Sequence, residues 1–177
     1  MDQDLKLRFP ISKISYWAER YGYEEVEVAI EQRTAPAARK RGYLQKDEFL
    51  EICRWKTRRT QPRCKRNPDA MVHEVTRLAL SSEVEQFRIE VLTLLQGVGW
   101  PTASVILHFC HRDPYPILDF RALWSCGVDV PNGYDFPFWW KYVEFCRRIA
   151  KEADVTMRIL DRALWQYSKE GTVLISV

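Results

Sequence analysis

Three features of this sequence predict an all-α fold. Apolar residues recur at helical spacing along most of the chain, and Pro or Gly punctuates those runs. Only the last residues, TVLISV, read as a strand, and no partner strand is evident for them. The chain has 177 residues, 46% of them apolar and 13% aromatic, which is enough to bury a sizeable core and too apolar for a disordered segment. Eight to ten helices are expected, in one helical unit with two small lobes.

From the N-terminus, Ile14, Trp17 and Tyr21, then Val26 and Ile30, predict two helices with a break near Gly22. Pro36 weakens any continuous helix, so TAPAARKRGY either extends the second helix or forms a loop. Lys46 to Trp55 has acids at its front and bases at its back, the polarity that a helix dipole favours. The next segment, Arg54 to Arg66, carries seven Lys or Arg in thirteen residues, with Trp55 among them. Arg54, Lys56, Arg58 and Arg59 are suited to phosphates, and Trp55 to a base or a guanidinium face. Packing of Trp55 beside Ile52 in the core is equally consistent with the spacing.

Asp69 to Ser81 reads as a helix, and Ser82 with Glu85 reads as a capping box for the helix that follows. Leu92, Leu94 and Leu95 close that helix on its apolar side. Gln96-Gly97-Val98-Gly99-Trp100 forms a turn in which both glycines supply unusual backbone angles. Pro101 starts another helix, Thr102, Ala103 and Ser104 allow close packing, and Val105, Ile106, Leu107 and Phe109 form its apolar body. Asp119 stands at the mouth of a third helix that Gly127 ends. Two more helices, Pro137 to Glu152 and Thr156 to Lys169, follow a Pro-Asn-Gly turn. The aromatic cluster from Tyr134 to Phe145 belongs mostly to packing.

Charge is unevenly spread. Between Arg33 and Arg66 there are twelve basic and three acidic residues, a balance of +9, which leaves −6 for the rest of a chain whose total is +3. A basic block on a mildly acidic body is the footprint of a phosphate-backbone binder, although solvated surface has the same composition. Five cysteines without a C-x-x-C pair indicate neither a disulfide framework nor a zinc or iron–sulfur site. No metal and no cofactor are expected. No apolar run is long enough to span a membrane, and the start MDQDLKLRFP is too charged for a secretion signal, so a cytosolic, nucleoid-associated location is expected by default. A monomer that binds DNA is expected.

The run LLQGVGWPTASVILHF followed by PILDF resembles the helix-hairpin-helix DNA glycosylase superfamily, whose hairpin L-P-G-V-G-x-[KW]-T-A precedes an aspartate by one helix and one loop. The resemblance covers about a fifth of the chain. It implies a compact helical fold with a cleft between a hairpin lobe, about 40–127, and a second lobe from 1–39 and 128–177. It further implies Asp119 as the catalytic carboxylate and Gly97, Val98 and Gly99 as the phosphate-holding turn, with Trp100 and Thr102 beside DNA. Pro101, Val105 and Trp55 are expected to line the base pocket.

Pro101 stands where relatives with lyase activity carry a lysine, so the resemblance implies a monofunctional enzyme that leaves an abasic site, unless another lysine such as Lys56 reaches in. Gln96 replaces the usual Pro, and Phe120-Arg121 follows the aspartate where many relatives have Thr-His. From the residues alone two readings stay open at each point. The Gly-Val-Gly turn is a phosphate cradle or simply a packed hairpin, and Asp119 is a catalyst or simply an N-cap.

Overall fold

The computed structural model describes residues 5–174, and the regular elements among them are all helical. The α-helices are α1 (Ile14–Glu19), α2 (Glu25–Ala29), α3 (Ala35–Arg41), α4 (Lys46–Lys56), α5 (Gln61–Cys64), α6 (Asp69–Ser81), α7 (Glu85–Glu90), α8 (Trp100–Cys110), α9 (Phe120–Ser125), α10 (Phe136–Glu152) and α11 (Met157–Leu174). None is long and apolar enough to cross a membrane.

The chain divides into a central unit, Tyr23–Asp113, and a terminal unit built from Met1–Gly22 with Pro114–Val177. These divides differ from 39/40 and 127/128, where the sequence reading set them. The reason is packing: α3 lies on α8 and α2 on α4, whereas α9 lies on α11.

In the central unit, α8 is the axis. Its residues Thr102 to Leu107, Phe109 and Cys110 are buried, and α3, α4, α6 and α7 pack around it. Arg39 reaches the end of α8, donating from Nη1 to the Phe109 carbonyl at 3.0 Å, where a cation also meets the negative end of the helix dipole. Pro36 does not break the chain into a loop. A π-helical stretch, Ile30–Thr34, joins α2 to α3 and widens the turn ahead of the proline, which accommodates its ring and its missing N–H. Gly42, at φ 85°, ends α3 in the left-handed region.

Two local expectations change. Ser82 and Glu85 form no capping box: Ser82 Oγ accepts the Val84 N–H at 3.1 Å, and α7 begins only at Glu85. The box forms instead at α4, where the Gln45 N–H donates to Glu48 Oε2 at 2.8 Å. Leu94 is not a core residue. Val91–Leu94 tightens into a 3-10 turn, which buries Leu92 and Leu95 but leaves Leu94 62% exposed.

In the terminal unit, α1 and α9 pack on α11, which α10 also contacts. The N-terminal segment is tied to the end of α9, Lys6 N–H to the Cys126 carbonyl at 3.0 Å and Arg8 N–H to the Ser125 carbonyl at 2.9 Å. Gly127, at φ 74°, follows α9, and the Val128 N–H returns to the Leu123 carbonyl at 3.1 Å to complete a Schellman motif. Trp139, Tyr142 and Phe145 of the aromatic cluster are buried. The strand expected of TVLISV is absent from its described part, since α11 continues through residue 174; residues 175–177 lie outside the described residues. Extending an existing helix needs no new nucleus, so weak helix formers are carried along.

Candidate functional site

The central unit brings the hairpin and the basic segment together. Lys56, Thr57, Arg59, Thr60 and Arg63 face Gly97, Val98, Gly99, Pro101 and Thr102 across an open cleft of about 480 Å³. Gly99 is the N-cap of α8 and has no side chain to satisfy the first amides of that eleven-residue helix. Backbone N–H groups at a helix start, with Lys and Arg opposite, form a concavity suited to an anion.

The two glycines of the turn do different things. Gly97 has φ 83°, and a Cβ there would lie 2.7 Å from Cys64 Sγ, 3.0 Å from Cys64 N and 3.1 Å from the Thr60 carbonyl. Gly99, at φ −106° and ψ 179°, is extended backbone that any residue adopts. Only Gly97 is therefore demanded by conformation, and it is demanded by close approach to α5 as well.

The hairpin is braced by a residue that the sequence reading missed. Asn67, 2% exposed, accepts the Gln96 N–H at 2.8 Å and donates from Nδ2 to the Gln96 carbonyl at 3.0 Å and to the Cys64 carbonyl at 2.9 Å. One amide thus ties the turn to the end of α5. The only sequence signal was Asn-Pro at 67–68, which reads as an ordinary turn starter. Cys64 adds to this contact. A hydrogen bond from the Cys53 thiol, together with the Thr60 hydroxyl and the Arg63 charge, lowers its pKa to about 6 despite burial, while that hydrogen bond and burial push Cys53 upward.

The other basic residues line a second groove. Arg54, Trp55, Lys56, Thr57 and Arg58 meet Glu24 and Val26 around a space of about 570 Å³. Trp55 is half-buried, its ring 5.3 Å from that of Phe109 at a steep angle, so it serves packing and groove at once. Trp100 is half-buried at the start of α8. The expected base pocket is not assembled as written. Pro101 lines the hairpin cleft, Trp55 lines the second groove, and Val105 is fully buried in the core because it faces the helices around α8.

Asp119 belongs to the terminal unit, where the segment before it is held rigidly. Tyr115 is fully buried and stacked on Trp139, centroids 5.6 Å apart and planes 11° from parallel, with the Arg147 guanidinium 4.7 Å from its ring centroid. Asp161 Oδ1 accepts the Ile117 N–H at 3.3 Å, and the Tyr142 hydroxyl donates to the Ile117 carbonyl at 3.2 Å. Asp119 itself is half-buried and N-caps α9, its Oδ1 accepting the Arg121 N–H at 3.0 Å. Burial, and after it the negative charge of Asp119, push the Tyr134 phenol above its ordinary range, so Tyr134 stays protonated in the electrostatic reach of that carboxylate.

A carboxylate on a fixed backbone, partly withdrawn from water, can stabilise positive charge developing close by or orient a water molecule. A cleft of amides and cations can hold a phosphodiester. Compared with known proteins, the chain matches no family model, no curated protein and no solved structure.

Proposed function

We propose that this chain is a monofunctional DNA glycosylase of the helix-hairpin-helix kind, acting on a damaged or modified base in repair or in defence against modified DNA. The hairpin cleft grips one phosphodiester, and Lys56, Arg59 and Arg63 supply the countercharge. The target nucleotide is rotated out of the stack or bound already unpaired, since no side chain reaches a base inside a duplex. As the C1′–N bond breaks, positive charge gathers on the sugar and Asp119 stabilises it. Water adds its oxygen to C1′, its proton leaves through Asp119 or solvent, and the base departs with a proton on nitrogen. Pro101 offers no amine where relatives with lyase activity carry a lysine, and Lys56, the amine that lines the cleft, is engaged with phosphate, so the strand is left abasic and unbroken; breakage without alkali would assign a Schiff base to Lys56 instead.

What supports the reading most is the cleft in which Gly97 to Gly99 and the cations of Arg54 to Arg66, far apart in sequence, face one another. One observation favours a second reading, a DNA-binding module without catalysis: the cap bond from Arg121 already gives Asp119 a structural task. The experiment is a panel of duplexes and single strands, each with one altered base, assayed for free base and for abasic sites before and after alkali. Base release that vanishes in Asp119→Asn, with strand breakage only after alkali, supports the enzyme. Equal release by Asp119→Asn and wild type removes the catalytic assignment, and salt-sensitive binding without any release favours the module.

A further inference from the structure

Beside Asp119, the terminal unit carries a row of alternating aromatic and cationic side chains. Phe120, the first residue of α9, is 57% exposed, more than Tyr16 at 48% or Phe87 at 44%. The Arg121 guanidinium lies over Phe120 at 5.1 Å from the ring centroid and over Trp165 at 5.5 Å. Lys169 Nζ follows over Trp165 at 5.0 Å, and Tyr21 meets the same indole edge to face at 5.3 Å.

A large exposed ring is ordinary when isolated, and this one is not isolated. Its backbone is fixed by the cap bond of Asp119, and one face is engaged by a guanidinium that bridges to a second ring. Glu170, the acid next to Lys169, is paired with Arg20 at 2.9 Å, and Arg121 and Lys169 are the cations of the row. Flat rings alternating with cations match a nucleic-acid strand, whose unpaired bases stack while its phosphates meet Arg and Lys. Protein interfaces are depleted in Lys, and Lys169 closes this row.

We infer that Phe120, with Arg121, Trp165 and Lys169, is a stacking platform for an unpaired nucleotide neighbouring the one on which Asp119 acts. The preferred substrate is therefore a modified base in single-stranded or locally opened DNA. The inference rests on the proposed DNA reading and adds its substrate class.

The test uses the full chain and a single-stranded oligonucleotide with one 2-aminopurine, whose fluorescence falls on stacking, alongside the matching closed duplex. Wild type is expected to quench the probe and to bind the single strand more tightly than the duplex. Phe120→Leu keeps apolar bulk without a π-face; it loses about 5- to 150-fold in single-strand affinity together with the quenching, and Phe120→Trp restores both. Phe120 is itself exposed, so Phe120→Leu folds, as its circular dichroism and melting temperature will show. Unchanged affinity and quenching in Phe120→Leu overturn the platform, as does wild-type preference for the closed duplex or failure to bind the oligonucleotide. Base release, measured for wild type and Phe120→Leu on the altered-base panel, separates the two readings. Release that persists with an indifferent Phe120 sinks the platform alone, and quenching through Phe120 with no release anywhere on that panel sinks the glycosylase alone.

Discussion

Replacing Gly97 by Ala tests whether the hairpin is built as described. An alanine at φ 83° pays about 1–2 kcal/mol for left-handed backbone. Its Cβ would also stand 2.7 Å from Cys64 Sγ, and Cys64 cannot retreat easily because its backbone N and the Thr60 carbonyl crowd the same point at 3.0 and 3.1 Å. Overpacking of this kind adds about 1–3 kcal/mol, for a total of about 2–5 kcal/mol. That is a large part of a typical stability of about 5–15 kcal/mol. Gly99→Ala is the internal control, because the nearest atom to its Cβ is Pro101 Cδ at 3.9 Å and its φ is −106°. There the reduced freedom of the unfolded chain and a slightly poorer N-cap nearly cancel, within about 0.5 kcal/mol. Urea unfolding followed by circular dichroism reads both, and in a thermal scan Gly97→Ala should melt roughly 4–20 °C lower. If the two variants unfold within about 0.5 kcal/mol of each other, the close approach of Gly97 to α5 is wrong, and with it the shape of the cleft.

Three further outcomes follow from the same geometry. Asp119→Asn should keep the wild-type melting temperature, because Asn caps a helix as well as Asp does, whereas Asp119→Ala should lose about 1 kcal/mol; parallel denaturant curves compare them. Burial, followed by the Arg88 charge, lowers the pKa of His111 below 6.5, and its Nδ1 accepts the Asp113 N–H at 2.9 Å, which requires an unprotonated nitrogen. The unfolded chain therefore takes up the proton first. The His111 contribution is complete above pH 6.5 and is lost as pH falls through the lowered value, so His111→Gln should flatten the acid side of a stability–pH curve. Lys56→Gln, Arg59→Gln and Arg63→Gln should each weaken DNA binding on every sequence and reduce the slope of log affinity against log salt by about 1, as fluorescence anisotropy across a salt series will show.

The sequence by itself determined the helical class, most helix ends and the residues of the hairpin, because these follow from local periodicity and from Gly and Pro stereochemistry. α4, α6 and α10 lie within a residue or so of where spacing and end signals put them. Gly127 stops α9 for the same local reason. Asp119 as an N-cap was also legible, since a cap needs only its own first turn. Tertiary structure decided whatever depends on what lies opposite. Two glycines look alike in G-V-G, yet only Gly97 faces the end of α5. Val105 looked available to a pocket until four helices closed around it, and Leu94 looked buried until the last turn tightened. Asn67 braces a turn 29 residues further along the chain, a pairing that no local pattern announces. Likewise the row from Phe120 to Lys169 joins residues on α9 and α11 that only folding makes neighbours. Backbone preference is a property of a few adjacent residues; packing, crowding and charge complementarity are properties of pairs, and the sequence does not state which pairs meet.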